Sequence, residues 1–378
     1  MKKYLSLIIR ASILLFLIIL LIVLSILKND PQICEAMTRG YSRGVNGVMA
    51  NITGWIPFSL TEIMFVLLVA GITFLFVKII ISLVKKKYRA ALHRSIEIAS
   101  IIFLSINLYN LSCEFAYNRE KLPLPYYQGD IERTEHIPIY NYFAEDINLC
   151  ISSLEFEENG EVKTSMSFEE ITNEVIKAYS IIEGQDYYTS YFGGVKPMLS
   201  SFLYREFQIT GVTYSPLMEA NINTLNTKIN LPLTIAHELA HTKGVMREDD
   251  ANQLAFYVCL NSEHPYLRYA TYASYYGQLS AMVTSYYLTE EEMANVEPVD
   301  GTLNKSRRYQ YQYWQEHDLL GDIGDYFNDL YIKMSGIKEG TTSYSGGTAY
   351  EHDPLTSKLI PSLYQRIFFE KYYRLLSI

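Results

Sequence analysis

The chain has 378 residues, 49% of them hydrophobic, with a mean hydropathy of +0.02 and a net charge of −9, so apolar and polar stretches must be segregated along it. Residues 1–112 hold 12 of the 32 Lys and Arg and 4 of the 41 Asp and Glu, which leaves 20 basic and 37 acidic residues beyond them, a net of −17. An acidic bulk excludes nucleic acid as the main partner, 33 tyrosines exclude a disordered chain, and four cysteines without a C-x-x-C pair exclude a zinc finger, a thioredoxin or a disulfide-dense scaffold.

The first element is an uncharged aliphatic run over 11–27, preceded by Lys2, Lys3 and Arg10; with its flanking turn it makes a membrane span of about 8–27. It runs into Lys28-Asn29-Asp30-Pro31 with no small-x-small cleavage site, and so reads as an uncleaved anchor rather than a secretory signal. A second span, 63–84, is interrupted only by Lys78 and opens on Ser59-Leu60-Thr61-Glu62, a capping-box pattern. A third, about 96–112, is the weakest, carrying Asn107 and Asn110; its alternative is a helix that packs on the other two, with the asparagines bonding between helices. Basic residues in short segments set orientation: Lys2 and Lys3 before the first span, and Lys85, Lys86, Lys87, Arg89 and Arg94 between the second and third, are expected in the cytoplasm. Three spans then put everything after residue 112 outside the cytoplasmic membrane. Cys34 and Cys113 meet near that outer face, where a disulfide is an option.

Residues 113–378 read as one extracytoplasmic, mostly helical α+β domain. Leu122-Pro123-Leu124-Pro125 is an extended linker. Ser167-Phe168-Glu169-Glu170 caps a helix running to about Ile182. Gly193, Gly194 and Pro197 mark a loop, the Thr-, Val-, Ile- and Tyr-rich stretch 207–225 reads as one or two strands, and helices dominate from Leu233 onward, broken by a Gly/Ser/Thr-rich segment at 340–347. There is no internal repeat.

Chemistry concentrates in the stretch 232–252. His237 and His241 stand one helical turn apart, so both imidazoles leave the same face and can close on one metal, while Glu238 points toward the substrate side. Pro232 and Gly244 sit where a helix start and stop require them. A chain with seven histidines matches H-E-x-x-H by chance roughly once in a hundred; a surface helix with two solvated histidines is the plain alternative. Catalytic zinc takes three protein ligands, and Glu248 is the candidate third, with Asp249 and Asp250 as competitors that the helix dipole alone would explain. The metzincin spacing fails, because its third position falls on Arg247.

The segment resembles the zincin superfamily in its gluzincin form, and E-x-x-A-N at Glu248–Asn252 matches the glutamate that completes such sites. The whole chain resembles an uncharacterised membrane family, domain of unknown function 3810, thought to be zinc peptidases with an N-terminal membrane region. The matching pieces are Pro57-Phe58-Ser59-Leu60-Thr61-Glu62-Ile63, Ala116-Tyr117-Asn118-Arg119, the stretch 210–252, and Tyr331-Ile332-Lys333 followed by Gly340 and Ser343-Tyr344, over about 10–345. Ser345-Gly346-Gly347 departs from the apolar run expected there.

The resemblance implies a zincin-like fold, one Zn2+ held by His237, His241 and Glu248, and peptide-bond hydrolysis with Glu238 as general base. Its partners are a peptide or protein substrate and the lipid bilayer. Tyr257, Tyr214, His264 and Tyr276 are candidates for stabilising the oxyanion, each with packing as the simpler role. The stretch 211–225 is either an edge strand that pairs with substrate backbone or a core strand. His93, His136, His317 and His352 have no partner at ligand spacing, Cys259 is a buried free thiol, and Arg307-Arg308 form a solvated face. The alternative function is a catalytically silent zincin-fold membrane sensor or binding module; a transporter is disfavoured, because three spans offer few buried polar groups.

Overall fold

The fold was analysed in a computed structural model, which describes residues 2–283, 288–334, 351–352 and 359–376. Helix α1 (Lys2–Leu27) leads into two short helices, α2 (Pro31–Met37) and α3 (Arg43–Thr53), joined by a π-helical turn at Thr38–Ser42; α4 (Leu60–Val84) and α5 (Tyr88–Ser112) follow. α1, α4 and α5 are each long and apolar enough to cross a membrane. The least apolar, α5, is as long as α4 and packs against both other helices.

Contacts along α5 give its direction. Arg10 of α1 pairs with Glu97, Asn107 donates to the Leu17 carbonyl (3.0 Å), and Lys28 meets Glu114 (2.6 Å), so α5 runs parallel to α1. Arg94 donates to Ser82 at 2.8 Å across the tight α4–α5 turn, which makes those two antiparallel. Arg10 of α1 and Glu97 of α5 thus neutralise each other within the bundle. The end of α1, the start of α4 and the end of α5 all meet the rest of the chain at one end of the bundle; Lys85, Lys86 and Lys87 lie at the other.

The segment 28–58 is not a plain loop. Asp30 caps α2 by accepting from the amides of Gln32 (2.9 Å) and Ile33 (3.3 Å). Ser42 and Asn46 donate to the carbonyls of Leu111 (2.9 Å) and Ser112 (2.8 Å). Arg119 clamps the arrangement: its guanidinium forks onto Glu35 (2.7 and 2.9 Å), donates to the Tyr187 and Gly244 carbonyls (3.0 Å each) and lies over the Tyr187 ring. Burial alone would raise the Glu35 carboxyl, but Arg119 and Arg39 hold it down at about 2.

Beyond it come α6 (Arg133–Ser152), the short hairpin β1 (Glu155–Phe156) and β2 (Val162–Lys163), α7 (Phe168–Ala178), β3 (Gly194–Pro197), α8 (Ser201–Glu206), β4 (Gly211–Tyr214) and β5 (Glu219–Ile222). The remainder is helical: α9 (Leu231–Thr242), α10 (Glu248–Leu260), α11 (Pro265–Ser280), α12 (Glu290–Met293), α13 (Thr302–Glu316) and α14 (Gly321–Met334), then a hairpin of β6 (Glu351–His352) and β7 (Leu359–Ile360), and α15 (Leu363–Leu376). Strands β3, β5 and β4 form one sheet in that order, β5 central, with β3 parallel and β4 antiparallel to it. The core joins α9 and α10 through Ile235, Leu239, Leu254 and Val258 to an aromatic cluster of Phe143, Tyr272 and Phe368.

Several expectations hold: 122–125 lies in neither helix nor strand, Ser167 and Glu170 form a full capping box on α7, and 207–225 yields two strands. Others are corrected. The loop expected around Gly194 and Pro197 is strand β3, tolerated because Pro197 ends an edge strand. Only half of the Ser59–Glu62 capping box forms: Ser59 accepts from the Glu62 amide (3.1 Å), but the Glu62 carboxylate turns to the amides of Leu199 (2.8 Å) and Ser200 (3.0 Å). Cys34 and Cys113 form no disulfide: Cys34 packs with Leu24 and Phe115, Cys113 with Tyr117 and Met246. Arg307 is not merely solvated, since it lies over the Tyr276 ring. The break at 340–347, with Gly340 and Ser343-Tyr344, lies outside the described residues.

Candidate metal centre

Helix α9 carries the central motif. Pro232 occupies its first turn, and Gly244 ends it at φ +85, a left-handed conformation that glycine adopts without strain. Around that turn the Gly244 amide donates to the His241 carbonyl (3.0 Å) and the Val245 amide to the Ala240 carbonyl (3.1 Å), which is a Schellman closure. One side of α9 rests on β4 and β5, another on α10, and Tyr179 donates its hydroxyl to the Ala236 carbonyl. The helix is buried almost all round, so its histidines have little freedom.

The structure brings His237, His241 and Glu248 together, the one group of three or more possible metal-ligating side chains among the described residues. His237 Nε2 lies 3.2 Å from His241 Nε2 and 3.1 Å from Glu248 Oε2, and His241 Nε2 lies 3.7 Å from the same oxygen. Ligand atoms around a tetrahedral zinc with bonds of 2.0–2.1 Å stand about 3.3 Å apart, so this triangle has the right size. The outer nitrogens are engaged too: His241 Nδ1 is 2.8 Å from the Val245 carbonyl, and His237 Nδ1 is 2.9 Å from Asn252 Oδ1. A carbonyl only accepts, so Nδ1 of His241 carries the proton and Nε2 presents a lone pair; Asn252 does the same for His237. Two imidazole nitrogens 3.2 Å apart beside a carboxylate offer a seat that a cation could occupy. Burial disfavours a charged His237, yet the hydrogen bond to Glu248, the Glu248 charge and the nearby Glu238 raise its pKa, so a proton on Nε2 can fill the same gap.

Glu238 leaves the helix on the sheet side. The Thr213 hydroxyl of β4 donates to its Oε2 at 2.7 Å and shares that one hydrogen with the Glu238 carbonyl at 3.0 Å. Gly211, on the same strand, is where the carboxylate needs room: a Cβ there would stand 2.6 Å from Glu238 Oε1. Burial pushes the Glu238 carboxyl up, against the pull of His237, His241 and Thr213. A buried acid with a raised pKa beside two imidazoles is equipped to take and return a proton.

The competing carboxylates go elsewhere: Asp249 pairs with Arg247 at 2.9 Å, and Asp250 lies 3.6 Å from the same guanidinium. Of the oxyanion candidates, His264 caps α11 by accepting from the Tyr266 amide, Tyr276 stacks under Arg307, and Tyr257 faces Arg374. Tyr214 stays on β4, next to Thr213. His317 sits 3.4 Å from Glu206, and His93 and His136 lie on α5 and α6. The residues missed from the sequence are Asn252, Thr213 and Gly211. Asn252 was within reach, four residues after Glu248 and so on the same face of α10; the two strand residues left no local signal.

A membrane-helix region followed by this centre is the class of chain that the architecture defines. The family model described as "Protein of unknown function (DUF3810)" matches residues 38–350, and the chain belongs to that family. No curated protein and no solved structure matches it.

Proposed function

We propose that the chain is a membrane-anchored, zinc-dependent peptidase with a zincin-like, gluzincin-type site. The observation that carries the reading is the convergence of His237 Nε2, His241 Nε2 and Glu248 Oε2 within 3.1–3.7 Å, with both Nδ1 atoms held by acceptors. That donor set, two neutral imidazoles and one carboxylate, is the composition of catalytic zinc sites that keep a position free.

A bound zinc supplies a Lewis acid that polarises the scissile carbonyl and makes water a nucleophile near neutral pH. The chain's own residues do the rest. Val245 and Asn252 fix the tautomer and plane of the imidazoles. Glu238, aimed by Thr213, takes the proton of the attacking water and delivers it to the leaving amine. Strand β4 is an edge of its sheet and lies alongside Glu238, which suits it to pair with an extended substrate.

The same proposal sets the chain in a cell membrane as a multi-pass protein, with its N-terminus and Lys85–Arg94 in the cytoplasm and the centre outside. The basic residues at one end of the bundle and the acidic domain at the other support that orientation. Terminal-amine profiling of membrane and secreted proteins, wild type against Glu238→Gln, tests the activity and names substrates at once. New N-termini that depend on Glu238 are expected; identical profiles would sink the reading.

A further inference from the structure

The sheet that carries Thr213 is bolted directly to the start of a membrane helix. On β5, Ala220 and Ile222 are buried on the α9 side, whereas Glu219 and Asn221 alternate to the opposite face and meet the first turn of α4. Glu219 accepts from the amides of Leu60 (3.2 Å) and Thr61 (2.9 Å) and from the Thr61 hydroxyl (2.9 Å); Asn221 reaches that hydroxyl at 3.3 Å. In return Glu62 of α4 accepts from Leu199 and Ser200 at the β3–α8 junction, and Lys196 of β3 donates to the carbonyls of Thr53 (3.1 Å) and Ile56. Glu62 is the last charge before an apolar stretch broken only by Lys78, so it marks the level where α4 leaves water.

At that level the surface is apolar. Leu199, in the turn that leads into α8, is 74% exposed, and Phe202 and Leu203 in the first turn of that helix are 63% and 42% exposed. Trp55, 90% exposed, and Phe58 stand on the turn gripped by Lys196. Large side chains are left bare beside a helix entering lipid, and one is a tryptophan, the residue that favours the headgroup boundary. We propose that the α8 turn and the Trp55 segment form a lip seated in the headgroup–acyl boundary of the leaflet that α4 enters. Residues 207–210 join this lip to Gly211, against the Glu238 carboxylate. Resting on the peptidase reading, the lip confines substrates to polypeptide lying close to the bilayer, such as the stretch adjoining a membrane span.

The test is fluorescence quenching on the full chain in nanodiscs. Phe202→Trp is made together with Trp55→Phe and Trp314→Phe, and Phe65→Trp in α4 serves as the lipid reference in the same combination. Emission from position 202 is expected to fall at least two-fold with lipids brominated at shallow acyl positions and to respond little to aqueous iodide, as at position 65. Quenching by iodide alone would overturn the lip, and shielding from both quenchers would also overturn it by putting protein over the patch. Trp314→Phe alone, which leaves the lip unaltered and reads the native Trp55, repeats the measurement if the multiple variant misfolds. None of these readings depends on metal or turnover, so the lip and the peptidase stand or fall separately.

Discussion

His237 and His241 owe their orientation to acceptors outside the five-residue motif: Asn252 on the next helix, and the Val245 carbonyl in the turn that Gly244 permits. Removing such an acceptor typically weakens metal binding by about 10–100-fold. Asn252→Ala is therefore expected to lower zinc affinity by that amount in a chelator competition, with the fold intact by circular dichroism. Glu238→Gln should keep its zinc and lose turnover by about 10²–10⁴-fold, the usual contribution of a general base. Gly211→Ala tests the support of Glu238 from the other side. Its methyl group would displace Oε1, so kcat should fall while zinc content stays at wild type. The His237–His241 pair was legible in the sequence because residues one turn apart share a helix face, whereas Glu248, with Asp249 and Asp250 as competitors, rested on the resemblance. Thr213 and Gly211 were not legible, because they arrive from a strand some 25 residues upstream whose register is set by pairing with β5.

The elements that hold the centre are the ones the sequence expressed least. α2 and α3 are short and polar, and long-range pairs fix them: Arg119 to Glu35, and Arg39 and Arg43 to Asp186. No window of neighbouring residues contains such a partner, whereas the capping box of α7 and the apolar run of α4 are local and could be read directly. The Glu35 pair has a pH signature. Its folded carboxyl lies at about 2, below the ordinary 4.5, so its stabilisation is complete above about pH 4.5 and is lost as pH falls through 2. That difference corresponds to about 3 kcal/mol at neutral pH. Glu35→Gln should accordingly lower the neutral-pH Tm and flatten the fall in Tm of wild type between pH 4.5 and 2. Glu219→Gln probes the joint to the membrane helix. It weakens charge-assisted bonds of about 1.5–3 kcal/mol, and the Leu60 and Thr61 amides are expected to exchange hydrogen faster while those of α9 do not.

At the scale of the whole molecule, the side of the membrane on which the centre lies depends on α5, the span least marked in the sequence. Its polar residues find partners in the bundle: Asn107 on the Leu17 carbonyl, Glu97 on Arg10, and Arg94 on Ser82. Those bonds make a helix of modest apolarity fit to cross. A cysteine probe introduced at Lys86 should react only from the cytoplasmic side and one at Tyr311 only from the opposite side; reaction of both from one side would mean that α5 does not cross. The zinc-to-protein ratio of the purified full chain is the most direct test of the central claim. One zinc per chain is expected for wild type and for Glu238→Gln, with loss of most of it in His237→Ala. Substoichiometric zinc in wild type that His237→Ala leaves unchanged would contradict it.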